Sequence, residues 1–103
     1  MNKFYTESFL IACRECHISP VTIPNRDAII LRAISKLTPK EQDFIGMIKP
    51  MYLENDPNGK FSMSNVRKTC KAFHMTKNQL RKYKREIRHK IITNIKRILQ
   101  KIF

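Results

Sequence analysis

Between His74 and Arg88 the chain reads HMTKNQLRKYKREIR, and almost every side chain from Lys77 onward is a long hydrogen-bond donor. Asn78 and Gln79 carry the amide pair that can meet adenine bidentately in a major groove. Arg81 and Lys82 carry donors suited to guanine. Lys77, Lys84, Arg85 and Arg88 are of the type that reaches phosphate oxygens, and Arg67, Lys68 and Lys71 add cations just upstream. The chemistry these residues offer is recognition of an anionic polymer.

Bond-making chemistry has little to stand on. The eight carboxylates are scattered, and neither a glycine loop for phosphate nor a nucleophile beside a base can be seen. Glu41 and Asp43 are explained as first-turn residues that suit a helix dipole, and the clustered acidic ligands of a metal-dependent nuclease are missing. Cys13-Arg14-Glu15-Cys16-His17 matches the pattern of c-type haem attachment, but there is no export signal to go with it. Cys13, Cys16, Cys70 and His74 have ligand types and spacings that would make a Cys3His zinc site joining two helices. A helical Cys-x-x-Cys arises easily by chance, and Cys70 suits a small packed position. The expectation is therefore no enzyme, no cofactor and no metal.

Charge location sharpens the first reading. The 103 residues carry 21 Lys and Arg against 8 Asp and Glu, a net charge of +13. Residues 1–37 hold five basic and three acidic side chains, and residues 38–76 hold six and four. Residues 77–103 hold ten basic side chains and Glu86 alone. An excess this one-sided is the footprint expected of a nucleic-acid partner. Phe9-Leu10-Ile11-Ala12 is too short and wrongly flanked for a signal peptide. Nothing approaches the ~18 apolar residues of a membrane span. A cytoplasmic protein of a bacterial or phage-infected cell, with reduced thiols and no membrane partner, is expected.

The elements that must position these residues are all helical. The length suits one domain: an N-terminal scaffold (1–37), a core (38–90) and a continuation of the last helix (91–103). Phe4 or Tyr5, Phe9, Ala12 or Cys13, and Cys16 recur at helical spacing over 3–16. Pro20 and Pro24 make the next stretch a stiff connector. Asn25 or Asp27 can cap a second helix with Ile30, Leu31, Ile34 and Leu37 inward. Thr38-Pro39-Lys40-Glu41 is a capping box with proline at the first helical position, and Phe44, Ile45, Met47 and Ile48 follow on the inner face. Pro50 should end or kink that helix, although Met51, Tyr52 and Leu53 can carry it further. Asp56-Pro57-Asn58-Gly59 reads as a turn. Ser62 or Ser64 then starts a short helix bearing Val66, Cys70 and Phe73. After a break at His74-Met75, Thr76 and Gln79 form a second capping box, and Leu80, Tyr83 and Ile87 make a thin apolar seam. The seam continues through Ile91, Ile95, Ile98 and Ile102, with Ile92, Leu99 and Phe103 beside it.

A short helix, a break of about three residues and a capped second helix form the pattern of a helix-turn-helix. Over about residues 37–88 the chain resembles the DNA-binding domains of sigma-factor region 4 and small phage regulators. Leu37-Thr38-Pro39-Lys40-Glu41 fits the family's opening helix, and Val66, Cys70 and Phe73 fit its supporting helix. Met75 fits the apolar turn residue, Thr76 the cap, and Leu80 the inward residue of the recognition helix. His74 stands where such turns usually have glycine, and the segment from Pro50 to Gly59 is longer than in that family. Leu37 to Phe44 also resembles the start of phage small-terminase DNA-binding domains.

The resemblance implies an all-α fold of about five helices that contains a helix-turn-helix and a long basic C-terminal helix. It implies a transcription regulator of phage or mobile-element type that reads double-stranded DNA from Lys77 onward, alone or touching RNA polymerase or another protein. The alternative is a packaging or virion-associated DNA-binding component with little sequence preference. The apolar seam beyond Arg88 is expected to pack on the N-terminal helices. Its other use would be a homodimer through the C-terminal helix.

Overall fold

The computed structural model describes residues 3–55 and 63–102, with side chains described for 4–47 and 66–102. The fold is all-α. Its helices are α1 (Lys3–Glu15), α2 (Arg26–Ser35), α3 (Pro39–Asn55), α4 (Met63–Phe73) and α5 (Lys77–Ile102), and among the described residues there is no strand. At 1.5 Å per residue the 26 residues of α5 run about 39 Å, close to the longest dimension of the molecule, 42 Å. The other helices are arranged along it.

The apolar spacing explains that arrangement. Leu80, Ile87, Ile91, Ile95, Ile98 and Leu99 are buried along one stripe of α5. They pack with Phe4, Tyr5, Phe9, Ala12 and Cys13 of α1 and with Ile29, Ile30 and Ala33 of α2. Packing on the N-terminal helices is thus where the C-terminal seam goes, and its buried isoleucines are not offered to a second copy. Ile102, 59% exposed, is the exception at the end of the stripe. Phe103 and the turn expected at Asp56 to Gly59 lie outside the described residues.

Local chemistry sets the helix ends. The Glu41 N–H donates to Thr38 Oγ1 at 3.2 Å, and the Thr38 N–H donates to Glu41 Oε1 at 2.9 Å. Pro39 occupies the first helical position, where its missing N–H leaves no bond unmade. α1 and α4 both stop with a histidine in the left-handed region, His17 at φ 57° and His74 at φ 53°. In each case the next N–H reaches back five residues, from Ile18 to the Cys13 carbonyl and from Met75 to the Cys70 carbonyl. That is the Schellman closure, which usually employs glycine.

Two expectations need correcting, at Leu31 and Asn25. Leu31 is 60% exposed, because the inward arc of α2 runs through Ile29, Ile30 and Ala33 and leaves Leu31 outside it. Of the two courses open at Pro50, α3 takes the longer and continues to Asn55. Proline removes one rung of the ladder, and helical residues follow on both sides of it. Asn25 stands at the start of α2 but makes no side-chain cap. The other helix starts are placed as expected, with α4 beginning at Met63 directly after Ser62.

Candidate nucleic-acid interface

The basic stretch opens with a second capping box. The Gln79 N–H donates to Thr76 Oγ1 at 3.2 Å, and the Thr76 N–H donates to Gln79 Oε1 at 2.8 Å. These bonds satisfy backbone groups that a helix start leaves unpaired. They also occupy the Gln79 oxygen that a bidentate contact to adenine would need. Asn78, exposed beside it, carries no such duty.

An aromatic trio holds this start in place. The Phe44 ring of α3 meets Phe73 of α4 at 5.3 Å and Tyr83 of α5 at 4.8 Å, both edge to face. Such contacts are worth about 0.5–1.5 kcal/mol each beyond the area they bury. Val66, Cys70, Phe73 and Met75 pack against the same core from α4 and the turn. α3 thus buttresses the relation between α4 and the first turns of α5, which also pack directly on each other.

Further along, α5 is bolted to the scaffold by polar contacts. Lys90 donates to Glu41 Oε2, and Asn94 Nδ2 donates to the Ala33 carbonyl at 3.1 Å. Glu41 is only 5% exposed. Burial pushes its carboxyl up, but the hydrogen bonds from Lys90 and Thr38 outweigh burial and hold it below the usual value. The hydrogen bond to Glu41 raises Lys90 in turn.

Burying the 80–87–91–95–98 stripe turns the opposite one outward. Asn78, Arg81, Lys82 and Arg85 are all exposed and follow one another at three- and four-residue steps. His89 continues the stripe one turn after Arg85. It was not among the sequence candidates, although the same periodicity would have found it. Lys77 is exposed, as are Arg67, Lys68 and Lys71 of α4. A second cluster, missed because its members are far apart in sequence, joins Lys36 to His89, Thr93 and Arg97 along a groove of about 390 Å3.

Lys84 and Arg88 are placed differently from their neighbours. Both are half-buried on the flank of α5 nearest α1. The Arg88 guanidinium lies 4.7 Å over the Phe4 ring and 3.5 Å from Glu7 Oε2, and its Nε is shut off from solvent with no hydrogen-bond partner. Burial and the adjacent Arg88 push Lys84 down to about 8, with Glu7 opposing them. Arg81, Lys84, Arg85 and Arg88 together line an open groove of about 380 Å3. Like charges three and four residues apart on a helix repel by about 0.2–0.5 kcal/mol a pair, so folding concentrates positive charge here at a cost.

The cysteines do not converge. Cys13 is fully buried, and burial, with Cys16 adding, raises its thiol above the ordinary value. Among the described residues no group of three or more His, Cys, Asp or Glu could hold a metal ion. Cys13, Cys16, Cys70 and His74 are thus not gathered into a zinc site. Among the same residues no helix is long and apolar enough to cross a membrane. Comparison with models of known protein families, with curated proteins and with solved structures finds no match.

Proposed function

We propose that the protein binds double-stranded DNA as a helix-turn-helix regulator of phage or mobile-element type, without catalysis of its own. α4 is the supporting helix and α5 the recognition helix in this reading. One observation carries it: a left-handed residue and a capping box start a helix whose buried stripe is spent on the core and whose opposite stripe is Asn78, Arg81, Lys82 and Arg85. His74 adopts the backbone conformation for which helix-turn-helix turns usually use glycine, so the departure seen in the sequence is accommodated by the fold. The major groove is about 12 Å wide and admits a helix. In that pose Asn78 and Arg81 face base edges, and Lys77, Lys82 and Arg85 sit nearer phosphate. Arg67, Lys68 and Lys71 serve the backbone from α4. The working compartment is the cytoplasm of a bacterial or phage-infected cell. RNA polymerase or another protein would be met on the surface away from DNA.

A second reading is favoured by cations beyond the first turns of α5. Lys36, ahead of α3, and Arg97, far along α5, extend the positive surface past any single groove contact. That suits a packaging or virion component that needs affinity but little sequence preference.

Selection of bound duplexes from a random pool, with affinity followed against salt, separates the two. The regulator yields an enriched motif that is lost in Asn78→Ala or Arg81→Ala. Steep salt dependence without a motif supports the packaging role. Absence of duplex binding at moderate salt sinks both.

A further inference from the structure

The flank of α5 nearest α1 has a chemistry of its own. Four cations at successive helical steps, Arg81, Lys84, Arg85 and Arg88, line one groove. Among them Arg88 is held in place, because its guanidinium is stacked on Phe4 and drawn towards Glu7. Its Nε–H is buried without an acceptor, while 30% of the side chain stays exposed, so the planar group is oriented in advance and its exposed part is what an anion can meet. Glu7 is the carboxylate that faces the cluster, and one negative charge does not balance four positive ones. An immobilised arginine fork beside three further cations matches the demand of a tetrahedral oxyanion, which accepts several charge-assisted hydrogen bonds at once.

We propose that this groove is a discrete seat for one phosphate-type oxyanion, supplied by a nucleic-acid backbone phosphodiester or by free phosphate. In its first form the proposal deepens the DNA-binding reading and rests on it; in its second it stands without it. Such a seat clamps α5 to a defined phosphate and so sets the register of Asn78 along the groove. Diffuse basic surface does not set register. The seat also relieves the repulsion among its own lining residues, so binding tightens the fold that presents it.

The test is a titration of the full chain with sodium phosphate at constant ionic strength, reading the arginine Nε–H resonances. The expected result is saturable movement of Arg81, Arg85 and Arg88 together, with Arg67 and Arg97 nearly still. Arg88→Lys keeps the charge but loses the fork, and it should weaken half-saturation by about tenfold, the loss of one good charge-assisted contact. Arg85→Gln, at an exposed position, repeats the test without touching the packing on Phe4. Duplex DNA is then added. Displacement of phosphate, or a duplex-induced shift that includes the same three arginines, assigns the seat to the backbone. Saturation by phosphate with no effect of duplex assigns it to a free anion and removes the DNA-binding reading separately. Movement spread equally over Arg67 and Arg97, or no saturable movement with phosphate or duplex, overturns the seat.

Discussion

Replacing Lys84 with methionine should make the protein more stable at neutral pH, although it removes a cation from the basic helix. The ammonium of Lys84 falls from its ordinary 10.5 to about 8 on folding, first through burial and then through Arg88. A pKa lowered in the folded state means that the unfolded chain binds the proton more tightly. The charged form therefore opposes folding at every pH below about 8, and the opposition fades as pH rises from 8 towards 10.5. At about 1.4 kcal/mol per pH unit the drop amounts to on the order of 3 kcal/mol. The amine is half-buried, and solvent screening brings the expected figure to about 1–3 kcal/mol. Methionine keeps the length of the side chain and fills irregular apolar space. Urea denaturation of both proteins between pH 6.5 and 10 checks this. The variant should lead at pH 7, and its lead should shrink by half or more by pH 9.5. Tyr5, whose hydroxyl burial pushes up to about 12, changes both curves alike and cancels in the difference. A variant that is less stable at pH 7, or a lead that does not change with pH, would refute the placement of Lys84 against Arg88.

Three further outcomes are expected. His74→Gly should stabilise the protein by about 0.5–1 kcal/mol, since glycine accepts the left-handed conformation of φ 53° without the Cβ clash; a loss of stability in a thermal melt would contradict that geometry. Glu41→Gln should lower stability at pH 7, because glutamine keeps the cap but loses the charged bond from Lys90. The folded carboxyl of Glu41 is lowered, so its contribution is present above the ordinary 4.5 and is lost as pH falls through the folded value; the gap between the two proteins should close in acid, which a pH series of melts will show or deny. In duplex binding, the affinity of the parent chain should fall by about three decades between 50 and 200 mM salt if about six phosphates are neutralised. Replacing Arg67, Lys68 and Lys71 with glutamine should flatten that slope by up to about three units of log affinity per log salt, and an unchanged slope would remove α4 from the interface.

Both capping boxes were legible in the chain, because a Thr-x-x-Glu or Thr-x-x-Gln box closes within one turn and asks nothing of the rest of the fold. The same holds for the helix order and for the buried stripe of α5, since apolar residues at a period of 3.6 leave one face to bury. The exposed stripe of Asn78, Arg81, Lys82 and Arg85 follows from that choice of buried face. What local pattern could not supply was the partner for each face. Leu31 matched the period of α2 well enough to be counted inward, and packing left it 60% exposed. Arg88 and Lys84 looked like their neighbours until α1 brought Phe4 and Glu7 against them. The Glu41–Lys90 pair and the cluster of Lys36, His89 and Arg97 join residues about fifty or more positions apart. Capping and amphipathic spacing are short-range and were written in the sequence. The pKa of a lysine and the orientation of an arginine depend on what another helix places beside them, and that was decided by packing.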